Sequence, residues 1–223
     1  MLIEIKKYIA GAKEADGIAV IFDIFRASNT IIACLASGAE YVIPVGEPEE
    51  VYRLKEENPD SLLFGERGGL MLAGFDYGNS PAEAAVMDLR GKKVIITTSA
   101  GSQGIVNASR ADEVLIGSFS NAEAIINYIR AKNPAKVSLL AMGEGGTRPA
   151  IEDELCAKYV KAKLENDEVD FDQMKAEIMG SDGANRLKKL NQERDLEFGL
   201  KLNIYKVIPK LNKMTNKIAS CDY

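Results

Sequence analysis

The 223-residue sequence contains no histidine. That absence removes the Ser-His-Asp triad, the Cys-His pair, histidine zinc sites and every histidine general base. Cysteine is scarce. Cys34, Cys156 and Cys221 lie far apart with no CxxC pair, which excludes a disulfide scaffold and a cysteine-rich zinc site. Positive charge is in deficit, with 28 Lys and Arg against 33 Asp and Glu and a net charge of −5. No global basic field therefore draws nucleic acid or anionic lipid. Long apolar runs are missing too: nothing reaches the roughly 18 residues a membrane span needs. The opening MLIEIKKYIA is too short and interrupted for a secretory core, so a cytoplasmic location is expected. Neither GxGxxG nor GxxxxGK[ST] occurs.

What is present is globular in character. Hydrophobic residues make up 46% and charged residues 27%, which excludes general disorder. Short apolar runs recur at Ile18–Phe22, Tyr41–Val45, Leu62–Phe64, Val94–Thr97, Val114–Ile116 and Val137–Ala141. They are nearly continuous rather than alternating, as in strands covered on both faces. Helical signals lie between them: the charged stretch 48–58, the cap Ser80-Pro81-Ala82-Glu83, a second capping box at Ser120-Asn121-Ala122-Glu123, and the periodic stretch 151–164. The pattern predicts a three-layer α/β/α fold around a mainly parallel sheet, with some mixed pairing allowed. A single domain spanning 1–223 is expected, with a helical subdomain near 165–200 as the alternative and a late strand at Lys206–Ile208.

Unusual residues cluster just after the apolar runs. Asp23, Arg26, Ser28 and Asn29 follow the first; Glu66 and Arg67 sit within Gly65–Gly69; Thr97 to Ser102 follows the fourth. Ser118 and Asn121 follow the fifth, and Gly143 to Arg148 with Glu152 and Asp153 follow the sixth. In a parallel sheet the carboxyl ends lie along one edge, so these residues are expected to converge there. The helix starts at that edge suit an anion such as phosphate. Each feature alone has a plainer reading. Asp23 and Arg26 fit an N-cap with its ion pair, Gly65–Gly69 fits a turn, and Glu152 and Asp153 fit a first helical turn. Cys156 reads as a core residue and Arg186–Lys189 as a solvated helix face. An apolar strand ending in Asp23 also begins aspartyl-nucleophile phosphatase sites, but their second acidic residue is Phe25 here.

The words VIFDIFRAS (20–28), GERGG (65–69), GFDYGNSP (74–81), TTSAG (97–101), GSFSNA (117–122), Glu152-Asp153, and the closing segment from Asp195-Leu196-Glu197-Phe198 to Val207-Ile208-Pro209 occur in this order. Together they resemble the 2-phosphosulfolactate phosphatase (ComB-like) family over nearly the whole chain. Two departures stand out: Thr98-Ser99-Ala100-Gly101-Ser102 replaces the common Thr-Thr-Asn-Gly-Thr, and Asn29 stands where a hydroxyl is usual. The resemblance implies Mg²⁺-dependent hydrolysis of 2-phospho-3-sulfolactate on the route to coenzyme M. The residue inventory fits such chemistry, since hard Mg²⁺ prefers carboxylate oxygens and activates water without histidine. Asp23, Glu152 and Asp153 are the expected metal ligands. Asp23, Arg26, Glu66 and Arg67 are the expected catalytic groups. Ser28, Asn79, Ser99, Gly101, Ser102, Ser118, Asn121 and Arg148 are expected to bind the small anionic ester. A homodimer is the expected assembly. The alternatives are a phosphatase for another phosphorylated hydroxy acid and a non-catalytic protein that senses a small anion.

Overall fold

Each apolar run read from the sequence becomes a strand, because four or five consecutive buried residues satisfy their backbone groups only by pairing on both sides. The computed structural model describes residues 1–221. Its strands are β1 (Leu2–Lys7), β2 (Ile18–Phe22), β3 (Tyr41–Val45), β4 (Leu62–Arg67), β5 (Leu70–Met71), β6 (Lys93–Thr97), β7 (Glu113–Gly117), β8 (Lys136–Ala141), β9 (Pro209–Asn212) and β10 (Lys217–Ser220). The helices are α1 (Tyr8–Lys13), α2 (Ala27–Ala36), α3 (Pro48–Glu57), α4 (Pro81–Ala84), α5 (Gly101–Asn107), α6 (Ala122–Lys132), α7 (Ile151–Glu165), α8 (Phe171–Met179), α9 (Asp182–Lys189) and α10 (Glu193–Gly199). The architecture is α/β/α around one mainly parallel sheet. Alternate side chains of β2 enter opposite layers, as the two-residue strand period requires. Val20 and Phe22 pack with α6, α7 and the 171–200 helices, whereas Ala19 and Ile21 pack with α2 and α5.

Strand order is β1-β8-β2-β7-β9-β10-β3-β6-β4-β5. Two parallel blocks, β1-β8-β2-β7 and β3-β6-β4, are joined by the antiparallel hairpin β9-β10. Every step from β7 through β9 and β10 to β3 reverses direction, so the second block runs opposite to the first. In a flat sheet the carboxyl ends of β2 and β6 would then face opposite edges, contrary to the single shared edge expected from the sequence. Right-handed twist of about 20–25° per step accumulates to roughly 100–125° between β2 and β6 and turns the ends back toward each other. The sheet also wraps the inner layer, since Ile21 and Val114 of one block and Val42 and Ile96 of the other share one core with Ile31 and Ile105 of α2 and α5.

Three local readings change. The opening segment is β1, a half-exposed edge strand parallel to β8, whose mixed polar composition hid it. The late strand begins at Pro209 rather than ending before it, which is permitted because a first strand residue needs no ladder N–H. The capping expected at Ser120–Glu123 falls instead on Ser118 to Asn121, where the Asn121 Oδ1 accepts the Ser118 N–H at 2.9 Å ahead of α6. In the 165–200 region, Ile178, Ala184, Leu187 and Leu196 pack into the same core as β2.

The hairpin is the weld between the blocks, and Ile218 at its centre is fully buried opposite Val42. Ile218→Ala is expected to lower unfolding free energy by about 2–5 kcal/mol in urea titrations. The exposed-surface control Val86→Ala should change it by less than about 0.5 kcal/mol.

Candidate active site

The turn after β2 sets the site. Ser28 Oγ donates to the Ile21 carbonyl at 3.1 Å and accepts the Asp23 N–H at 2.9 Å. These bonds tie the start of α2 back to its strand and leave the Asp23 carboxylate free to turn inward, where Oδ1 accepts the Ala27 N–H at 3.3 Å. Gly101, at the start of α5, approaches so closely that a Cβ there would stand 2.8 Å from Asp23 Oδ2. Only glycine permits this contact, and its amide favours the ionised carboxylate.

Four carboxylates meet here. Asp153 Oδ1 accepts the Ile24 N–H at 2.7 Å and Oδ2 accepts the Gly143 N–H at 2.8 Å, so this side chain clamps the β2 and β8 loops together. Glu66, at the end of β4, accepts the Ser99 N–H at 2.7 Å and the Gly69 N–H at 2.7 Å, pinning the second block's loops in the same way. Glu152 differs: its Oε2 is buried and has no hydrogen-bond partner. A Cβ at Gly183 of α9 would collide with this carboxylate, so glycine in that helix is what lets α9 close over it. Burial pushes the carboxyls of Asp23 to about 6 and of Glu152 to about 7. The Glu66 charge is part of the rise at Asp23 and the Asp23 charge part of that at Glu152, while Arg186 and backbone N–H donors offset some of both. Asp153 is driven up by burial and then by the Asp23 and Glu152 charges.

A crevice of about 160 Å³ opens beside Asp23 and Glu66, lined by these two and by Arg26, Asn79, Ser99 and Arg148 among others, whereas Glu152 borders a neighbouring cavity with Gly183 and Arg186. Arg26 Nη1 pairs with Asp195 Oδ2 at 3.0 Å, both fully enclosed, and its Nη2 donates to the Gly69 carbonyl at 3.1 Å. Asp195 in turn accepts from Ser80 Oγ at 2.6 Å. Asn79 is buried, and its Oδ1 has no partner.

Several expected anion ligands face elsewhere. Ser102 Oγ accepts the Thr98 N–H and donates to the Thr98 carbonyl, tying the first turn of α5 back to the end of β6. Asn121 binds the Ile116 and Val207 carbonyls, Ser118 lies beside it in the fully buried β7 turn, and Ser28 is the strut described above. Hydroxyls and amides at helix starts thus serve backbone groups that the fold would otherwise leave unpaired. Arg67 donates to the Glu66 and Gly46 carbonyls and to Thr97 Oγ1, outside the crevice lining. Asn29 lies out of the pocket, bonded to the Ile24 carbonyl and Ser120. Glu144, within the marked span 143–148, lines the crevice; so do Leu190 and, against their reading as part of a solvated helix face, Arg186 and Leu187. Arg186 stands among lysines on a charged helix and carries no local signal of its destination.

The comparisons with known proteins agree with the word pattern. A family model described as 2-phosphosulpholactate phosphatase matches residues 3–214. A Thermotoga petrophila relative is 33% identical over 206 residues, covering 86% of this chain and 88% of its own. One from Carboxydothermus hydrogenoformans is 33% identical over 225 residues, covering 94% and 93%, and one from Caldicellulosiruptor saccharolyticus is 36% identical over 207, covering 83% and 85%. All three are named "probable 2-phosphosulfolactate phosphatase". All of both parallel blocks but Leu2, and the first strand of the closing hairpin, fall within the matched span, and the chain belongs to the 2-phosphosulpholactate phosphatase family.

Proposed function

We propose that this chain is a Mg²⁺-dependent phosphatase that hydrolyses 2-phospho-3-sulfolactate to 3-sulfolactate and phosphate. The observation that carries the reading is the meeting of Asp23, Glu66 and Arg26, from two opposed strand blocks, in one crevice. Family membership supports the ester class.

Among the described residues no three His, Cys, Asp or Glu groups form a ready metal cage. Mg²⁺ does not require one, because it is commonly held by one or two carboxylates, waters and the substrate's own phosphate. The partnerless Glu152 Oε2 and the desolvated Asp23 fit that demand, so these two would hold the ion. Asp153, expected as a third ligand, instead has each oxygen occupied by a backbone amide, which makes it the brace of the Asp23 turn. When bound, Mg²⁺ supplies positive charge to the phosphoryl oxygens and acidifies water. Arg26, locked by Asp195 and Gly69, adds a fixed charge facing the ester. Asn79 and the Ser99 hydroxyl offer hydrogen bonds to phosphoryl oxygens, and Glu66 keeps Ser99 in place.

The deciding experiment is phosphate release from a panel of phosphorylated hydroxy acids, including 2-phospho-3-sulfolactate, with Mg²⁺ or EDTA. Release that needs Mg²⁺ and favours the sulfonated ester is the expected result; no release from any ester would refute the reading. Asp23→Asn is expected to lower kcat by about 10³-fold or more while circular dichroism stays unchanged.

Protonation offers a second check. Asp23 and Glu152 have pKa values raised to about 6 and about 7, so the metal-free native state holds protons that the unfolded chain has released. Their stabilising effect is complete at acid pH and is lost as pH rises through these values. Tm in EDTA should therefore fall between pH 5.5 and 8, and the Tm gain on adding Mg²⁺ should be larger at pH 8. A Mg²⁺ gain equal at both pH values would count against ligation by these carboxylates.

A further inference from the structure

At the mouth of the crevice two arginines share one carboxylate. Arg186 Nη1 lies 2.9 Å and Arg148 Nη2 3.2 Å from the same Glu144 Oε1. The three come from separate places: Arg186 from α9, and Glu144 and Arg148 from the loop after β8, where each backbone bonds the other. All three line the crevice that contains Asp23 and Asn79. Among the described residues no other ion pair or hydrogen bond engages either guanidinium, although Asp23 and Glu152 are near enough for Arg186 to lower their pKa values.

From this arrangement we infer that Arg186 and Arg148 form the subsite for a second anionic group of the substrate, the sulfonate, and that Glu144 is the internal anion it displaces. The inference rests on the phosphatase reading above and extends it to the residue that selects the ester. Charge alone does not explain the arrangement. An arginine needed only to offset Asp23 and Glu152 would bond one of them directly, yet both forks converge on a carboxylate at the entrance. Glu144 is 39% exposed, Arg186 33% and Arg148 69%, and ion pairs this wet contribute only about 0–1 kcal/mol. Such a carboxylate is readily exchanged for a ligand anion that brings further contacts of its own. Two planar forks on one oxygen also leave N–H donors free for the three oxygens of a sulfonate. Leu187 and Leu190 beside Arg186 line the same crevice and give the subsite an apolar flank.

The test compares 2-phospho-3-sulfolactate with 2-phospholactate, the same ester lacking the sulfonate, in Mg²⁺. The ratio of their kcat/KM values isolates the second anion, because any general effect of Arg186 on the carboxylates acts on both esters. In Arg186→Ala the ratio is expected to fall about 10- to 100-fold, with partial recovery in Arg186→Lys. Glu144→Gln should lower KM for the sulfonated ester several-fold by removing the competitor. A ratio unchanged in Arg186→Ala would overturn the inference even if both rates dropped. If the unaltered protein hydrolyses neither ester, the phosphatase reading fails, and calorimetric binding of 3-sulfolactate decides the inference by itself. A loss of about tenfold or more in affinity for Arg186→Ala supports it, and equal affinity ends it.

Discussion

The structure is organised around an electrostatic difficulty: Asp23, Glu66, Glu152 and Asp153 are all buried within mutual influence, where each charge opposes the next. Like charges out of water are tolerated only when donors or cations surround them. Glu66 and Asp153 meet that condition with pairs of backbone amides, and Asp23 does so in part through Ala27 and Gly101. Glu152 does so least, with its own backbone N–H and the Arg186 charge acting on it while its buried Oε2 has no hydrogen-bond partner. The same carboxylates that create the difficulty therefore also brace the loops, so the chemical and the architectural roles of the cluster cannot be separated.

Topology makes this meeting less direct than an α/β sheet usually allows. In an all-parallel sheet, loops at one edge are neighbours by construction. Here the C-terminal hairpin reverses the second block, and the Asp23 turn reaches the Glu66 and Ser99 loops only because the sheet twists and curls around α2 and α5. The hairpin contributes no residue to the crevice lining, yet its place between the two blocks sets the angle between the halves that build the site. The 165–200 helices then close one wall, with Gly183 admitting Glu152 and with Arg186, Leu187 and Leu190 facing the opening.

Polar residues next to strand ends divide into two populations that look alike in a one-dimensional reading. Ser28, Ser102 and Asn121 are buried and spend their capacity on turns and helix starts, whereas Asn79 retains unsatisfied capacity toward the crevice. Arg26 and Arg67 divide in the same way: both are enclosed by neighbouring loops, but only Arg26 borders the cavity. The departures at Asn29 and Ser99 also part company, since Asn29 pairs with Ser120 in the interior and Ser99 stands at the crevice.

The strand positions of β2 and β3, the helix 151–165 and the α/β class were legible in the sequence, because burial on both faces demands continuous apolar runs and such runs are local. The acidic and arginine content of the site was legible as well, since the absence of histidine leaves carboxylates and guanidiniums as the groups able to handle an anionic ester. Three things were decided only in three dimensions: which hydroxyls face inward, that the two strand blocks oppose one another, and that Arg186 leaves its run of surface lysines to border the crevice. The meeting of loops at the crevice depends on contacts between residues more than a hundred positions apart, such as Ile24 with Asp153 or Arg26 with Asp195. Local patterning encodes which backbone state a segment prefers, but long-range packing alone determines where its side chains arrive.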